Sequence, residues 1–172
     1  MTRVALCLVV ALLVSGCSFG QGSEPGGEND AEAFKKTMDA LARELLPELR
    51  TAVHGGEVKG LEADFYEPGG SFGVWKYNAQ GVIEAPRGSA EEIFTAVASV
   101  FEEHGLKVER DPEGDDVTGR KDGVLVKVAR TLHSEVESVS RLDVVFVSDD
   151  GLSSRDDFAE DSPPEDYTTY VK

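Results

Sequence analysis

From Phe34 onward, apolar residues recur at spacings of three and four: Phe34, Met38, Leu41, Leu45, Leu49 and Ala52, with Lys35, Lys36, Arg43 and Glu44 between them. This period predicts an amphipathic helix. Asn29 or Asp30 can cap it, and Glu32 puts a carboxylate near its positive end. Pro47 lacks an amide donor and its ring crowds the carbonyl of Arg43, so a kink or break is expected near Leu46. His54-Gly55-Gly56 closes the segment.

The period then shortens to two. Leu61, Ala63 and Phe65 alternate with Glu62, Asp64 and Tyr66, as in a half-buried strand. Pro68-Gly69-Gly70 reads as a turn before a second strand, Phe72 to Tyr77; Asn78 to Gly81 reads as a short connection, and Val82 to Glu84 as a third short strand. Ser89-Ala-Glu-Glu92 is a capping box, followed by an apolar stripe at Ile93, Val97, Val100 and Phe101 and a left-handed stop at Gly105. Leu106 to Arg110, Val117 to Arg120, Val124 to Arg130 and Leu142 to Val147 read as further strands, with a hairpin turn at Lys121-Asp-Gly123. The last of these strands is the most hydrophobic and is expected at the centre of the sheet. Beyond Ser148 the chain is rich in Asp, Ser and Pro, which predicts disorder despite Phe158, Tyr167 and Tyr170.

Helices that do not alternate strictly with strands, joined to hairpins, predict an α+β two-layer domain. Two helices would pack on one face of an antiparallel sheet of about five or six strands. The expected division is 1–16, 17–30, 31–150 for the domain and 151–172 for an acidic tail.

The N-terminus has a different character. Arg3 precedes a nearly continuous aliphatic run from Val4 to Val14, too short to cross a bilayer, which takes about 20 apolar residues. Small residues Ser15 and Gly16 follow, as a signal peptidase groove requires. Val14-Ser15-Gly16-Cys17 resembles the lipobox of bacterial lipoproteins. The resemblance implies removal of residues 1–16, a diacylglyceryl group on Cys17 and a location on the extracytoplasmic face of the cell membrane. Two acyl chains hold far better than one, at about 0.8 kcal/mol per buried methylene. The Gly- and Ser-rich stretch to residue 30 then serves as a flexible tether spanning roughly 20 Å. The style of the chain is similar to lipoproteins of high-GC Gram-positive bacteria, whereas the domain after the tether resembles no family of known activity.

Charge narrows the partners. With 33 acidic residues against 17 Lys and Arg, the formal charge is −16. Such a surface repels nucleic acid and anionic head groups, which argues against binding either through a basic patch. On the same resemblance, Cys7 would leave with the signal and Cys17 would be acylated, and no disulfide would then be possible within the mature chain.

The chain offers little catalytic patterning. His54 and His104 fall at predicted helix C-termini, where the helix dipole alone favours an imidazolium, and His133 has no partner at metal-ligand spacing. The acidic turn from Asp111 to Asp116, with Asp122, has oxygen ligands at alternate positions. It departs from the EF-hand loop where Asp116 replaces the required Gly and Asp122 the final Glu, and reads as a solvated hairpin turn. There is no Gly-x-Ser-x-Gly, no Ser-x-x-Lys and no phosphate-binding glycine loop. No catalytic residue, metal or cofactor is assigned, and the chain is read as a non-enzyme.

One stretch suggests recognition. Trp75 and Tyr77 share one strand face and Phe72 and Val74 the other, so one set faces the helices and the other meets solvent, a strand end or a ligand. Trp75, Tyr77 and Phe72 are the candidate ligand or partner surface. The expected function is a membrane-anchored binding or interaction domain whose partner is an envelope protein or a small ligand. The alternative is a carrier of a lipid-like or other small apolar molecule.

Overall fold

The computed structural model describes residues 30–70, 73–111, 114–131, 139–154 and 157–172. Cys17, Phe72 and His133 lie outside the described residues. Helix α1 (Asp30–Ala52) leads into strands β1 (Val58–Tyr66) and β2 (Val74–Glu84), then helix α2 (Ala90–Glu103). Strands β3 (Lys107–Arg110), β4 (Asp116–Lys121), β5 (Val124–Arg130) and β6 (Arg141–Ser148) follow. After them come β7 (Leu152–Ser153), a short helix α3 (Phe158–Asp161), β8 (Glu165–Asp166) and a 3₁₀ turn over Tyr167–Val171.

The fold is α+β, with an antiparallel sheet in the order β3-β4-β5-β6-β2-β1-β8 and β7 paired to β2. Strand β6 sits in the middle of that order. Its Leu142, Val144 and Phe146 are fully buried and face the helices, so the most apolar strand takes the most covered place. From α1, Met38, Leu45, Leu46 and Leu49 bury completely against the sheet; from α2, Val97 and Phe101 do the same. Both helices therefore cover one sheet face.

Local chemistry explains the ends of α2. Ser89 accepts from the Glu92 amide and the Glu92 carboxylate accepts from the Ser89 amide, the reciprocal pair expected of a capping box. Gly105 takes φ +72° just past the helix, a left-handed stop that L side chains resist. The β4–β5 turn likewise has positive φ at both Asp122 (49°) and Gly123 (77°), matching the twist of a two-residue hairpin.

Three expectations change. First, α1 runs through Pro47 without a break. Leu45, Leu46 and Leu49 anchor both sides of the proline in the core, and Thr51 Oγ1 donates to the Pro47 carbonyl at 2.8 Å. Burial of the flanking turns outweighs the lost backbone bond. Second, the Asn78–Gly81 connection is the middle of one long strand, because β2 has β1 on one side and β6 on the other to satisfy its backbone. Gly81 faces the bulge of β1 between Lys59 and Glu62, where a Cβ would stand 2.4 Å from the Lys59 carbonyl oxygen. Third, the acidic tail folds. Tyr167 is fully buried, Ala159 nearly so, and β8 pairs with Glu62 and Ala63 of β1. A few aromatic residues that find a prepared groove offset the polarity of the residues between them. The folded domain thus continues through Val171 rather than stopping at residue 150.

Candidate functional site

The core face of β2 carries Trp75, Tyr77, Ala79 and Ile83. Tyr77 is 1% exposed, its ring 4.5 Å from that of Phe65, and Trp75 is half-buried against the same core beside Leu152. The two aromatics do share one face, as their spacing predicts, but it is the face beneath the helices. Neither forms an open platform there, and Phe72 lies outside the described residues.

The Tyr77 hydroxyl belongs instead to a polar cluster centred on Asp39 of α1. Tyr77 Oη and Tyr167 Oη donate to Asp39 Oδ1 at 2.9 and 2.6 Å, and Lys35 Nζ donates to Asp39 Oδ2 at 2.7 Å and to Tyr77 Oη at 3.0 Å. Burial raises the Tyr77 phenol well above its ordinary value, and the negative charge of Asp39 raises it further. Burial also raises Tyr167, together with its hydrogen bond to Asp39. Both phenols are neutral donors at any physiological pH. Next to them Tyr170 stacks on Tyr167 with ring centroids 5.2 Å apart, donates to Glu165 at 2.7 Å and lies under the Arg43 guanidinium. Each Asp39 oxygen is engaged by a neighbour within the protein, and the cluster joins α1, β2 and the C-terminal segment. Its chemistry is that of a clamp.

The opposite sheet face is different. On β1 it carries Glu62, Asp64 and Tyr66, and on β2 Val74, Lys76, Asn78, Gln80 and Val82. Val82 is buried yet belongs to no part of the helix-side core, and half-buried Leu125, Val145 and Val147 lie outside that core as well. Register places them side by side: Val147 pairs with Leu125 and Asn78, and Val145 with Gln80 and Lys127. Tyr66 (43% exposed) and Val74 (39%) are the exposed large apolar residues among those described, and both project from this face. Ion pairs between Arg120 and Glu109 and between Lys127 and Asp116 border it on β3, β4 and β5. Alternation along Leu61 to Tyr66 already put Tyr66 on the polar side; which side would remain uncovered depended on where the helices packed.

His54 and His104 stand at the ends of α1 and α2. His54 adopts φ +48° in the turn after α1. His104 caps α2 and reaches across to α1, with Nε2 2.9 Å from Glu48 and Nδ1 3.8 Å from Glu44. In the acidic turn, the Asp115 carbonyl accepts from the Arg130 amide and Asp116 pairs with Lys127. Among the described residues, no group of three or more His, Cys, Asp or Glu side chains has the geometry to hold a metal ion. Among the same residues, no helix is long and apolar enough to cross a membrane.

No protein-family model, curated protein sequence or solved structure matches this chain.

Proposed function

We propose that this chain is an extracytoplasmic lipoprotein, anchored to the cell membrane through an acylated Cys17, whose domain docks an envelope protein on the open face of its sheet. The observation that carries this reading is the group of Leu125, Val145 and Val147 on a sheet face that neither long helix covers, with Tyr66 and Val74 exposed on the same face beyond Lys76 and Asn78. Apolar residues grouped on a rigid surface and bordered by polar ones are typical of a protein interface. The tether keeps the domain near the bilayer, and the charge of −16 keeps it from lying flat on anionic lipids.

The carrier alternative calls for an apolar cavity between helices and sheet. That region is occupied by the fully buried side chains of Leu45, Leu49, Phe94, Phe101 and Phe146, which favours the docking reading.

Photo-crosslinking in intact membranes tests it. A photoreactive amino acid at Tyr66 or Val145 is expected to trap a defined partner, and one at the exposed Lys36 on α1 is not. Absence of any adduct from both sheet positions would overturn the proposal. A small-molecule mass retained by the native chain and released on denaturation would replace it with the carrier reading.

A further inference from the structure

The open sheet face is acidic along one margin. Register sets two rows across it, one of Val147, Asn78 and Asp64, the other of Val145, Gln80, Glu62 and Asp166. Each row runs from a valine through an amide to a carboxylate, and two strand spacings, about 10 Å, separate the valines from Asp64 and Glu62. The three acids are exposed. Among the described residues, no ion pair reaches any of them and Glu62 has no hydrogen bond at all. Asp64 accepts from the Phe65 amide, and Asp166 from the amide and hydroxyl of Thr168, with a weaker attraction from Lys172. The cations nearby on the sheet are engaged elsewhere. Lys76, opposite Tyr66, donates to the carbonyls of Ser148 and Asp149 at the end of β6, and Lys59 pairs with Glu84 and Glu57. Toward the other margin the charges are matched, Arg120 with Glu109 and Asp149 and Lys127 with Asp116.

Strand β8 sets Asp166 directly opposite Glu62, and like charges opposed across a strand pair are destabilising. The fold thus carries an unfavourable pair that a cation would relieve. Taking the sheet face as the docking surface, we infer that the envelope partner presents an apolar contact flanked on one side by Lys or Arg. The apolar part covers Leu125, Val145 and Val147, and the cations stand over Glu62, Asp64 and Asp166. Tyr66, two residues beyond Asp64 on the same face, offers its ring to one of them. Burial of the valines supplies the contact, and the one-sided charge fixes which way round the partner sits.

Photo-crosslinking from Val145 of the full chain in intact membranes reads docking itself, and charge variants read the chemistry of the partner. Glu62→Gln with Asp64→Asn is expected to lower the yield of the Val145 adduct at least about fivefold. Glu91→Gln with Glu102→Gln removes the same two charges from exposed positions of α2 and is expected to leave it unchanged, which separates a local effect from general attraction to an acidic protein. A photoreactive residue at Gln80, between Val145 and Glu62, is expected to trap a partner segment in which mass spectrometry finds Lys or Arg. Glu62→Gln alone is expected to raise the urea midpoint, because it relieves the facing Asp166. A Val145 adduct whose yield ignores the sheet variant, or falls equally with the α2 variant, would overturn the basic partner and leave the docking surface standing. A segment trapped from Gln80 without Lys or Arg would do the same, as would a lower midpoint in Glu62→Gln, since Glu62 would then serve the fold. No adduct from either Val145 or Tyr66 in the otherwise unaltered chain would remove the docking surface and the basic partner together.

Discussion

Tyr167 and Asp39 are 128 positions apart in the chain, and the hydroxyl of the first donates to the carboxylate of the second at 2.6 Å. This bond closes the C-terminal segment onto the first helix. It stands in a buried setting, with Tyr77 as second donor to the same oxygen and Lys35 on the other one. Tyr167→Phe removes the donor and keeps the ring, which packs edge-on against Phe146. A hydrogen bond to a charged group is worth about 1.5–3 kcal/mol, and the variant is expected to lose stability in that range by urea denaturation. Tyr167→Ala also empties the ring site and is expected to cost more, about 3–5 kcal/mol.

Alkaline pH attacks the same place. The folded state holds the Tyr77 and Tyr167 phenols neutral, chiefly by burial, and both would ionise near the ordinary value of 10.0 in the unfolded chain. A raised pKa contributes stability that is fully present below the unfolded value and is lost as pH climbs beyond it. The denaturation midpoint is therefore expected to hold steady up to about pH 10 and fall above it. In Tyr77→Phe and Tyr167→Phe the fall is expected to be shallower. A midpoint equally steep in wild type and both variants would show that other groups govern the alkaline limb.

Gly81 is expected to tolerate no side chain. The atoms around it are backbone as well as side chain: a Cβ would meet the Lys59 carbonyl oxygen at 2.4 Å and Leu61 Cγ at 2.7 Å. Backbone in a paired strand cannot step aside, so Gly81→Ala is expected to destabilise by at least about 1–3 kcal/mol, measured by thermal or chemical unfolding. Gly69→Ala, in open space in the turn after β1, serves as the control and is expected to change little.

The capping box gives a milder prediction. Ser89→Ala frees the Glu92 amide and is expected to cost about 0.5–2 kcal/mol, visible as an earlier unfolding midpoint. Ser89→Asp restores an acceptor at the helix start and is expected to recover most of that loss.

Anchoring has its own test. Cys17→Ser removes the sulfur that the proposed acyl group requires, and the variant is expected to leave the membrane fraction in a bacterial host. Full retention with the membrane would refute the lipobox reading without touching the docking surface.

Much of the fold was legible in the chain. Ser89 and Glu92 marked the start of α2, Gly105 marked its end, and Lys121-Asp-Gly123 marked the tightest hairpin, because each works through bonds within a few residues. The aliphatic run at Leu142 to Val147 also pointed correctly to a central strand, since such a strand needs cover on its inner face. Pro47 and the Asn78–Gly81 stretch misled for the complementary reason. Local propensity there disfavours regular structure, and only distant partners, the core under α1 and the strands flanking β2, restore it.

By itself, then, the sequence determined the two long helices, most strands, the α+β class and the shared face of Trp75 and Tyr77, all set by short-range periodicity and capping chemistry. Tertiary structure alone decided that this face would be the buried one, that Tyr66 and Val74 would look outward, and that Tyr167 would return to Asp39. Those outcomes depend on which side of the sheet the helices cover and on hydrogen bonds across more than a hundred residues, and neither leaves a periodic trace along the chain.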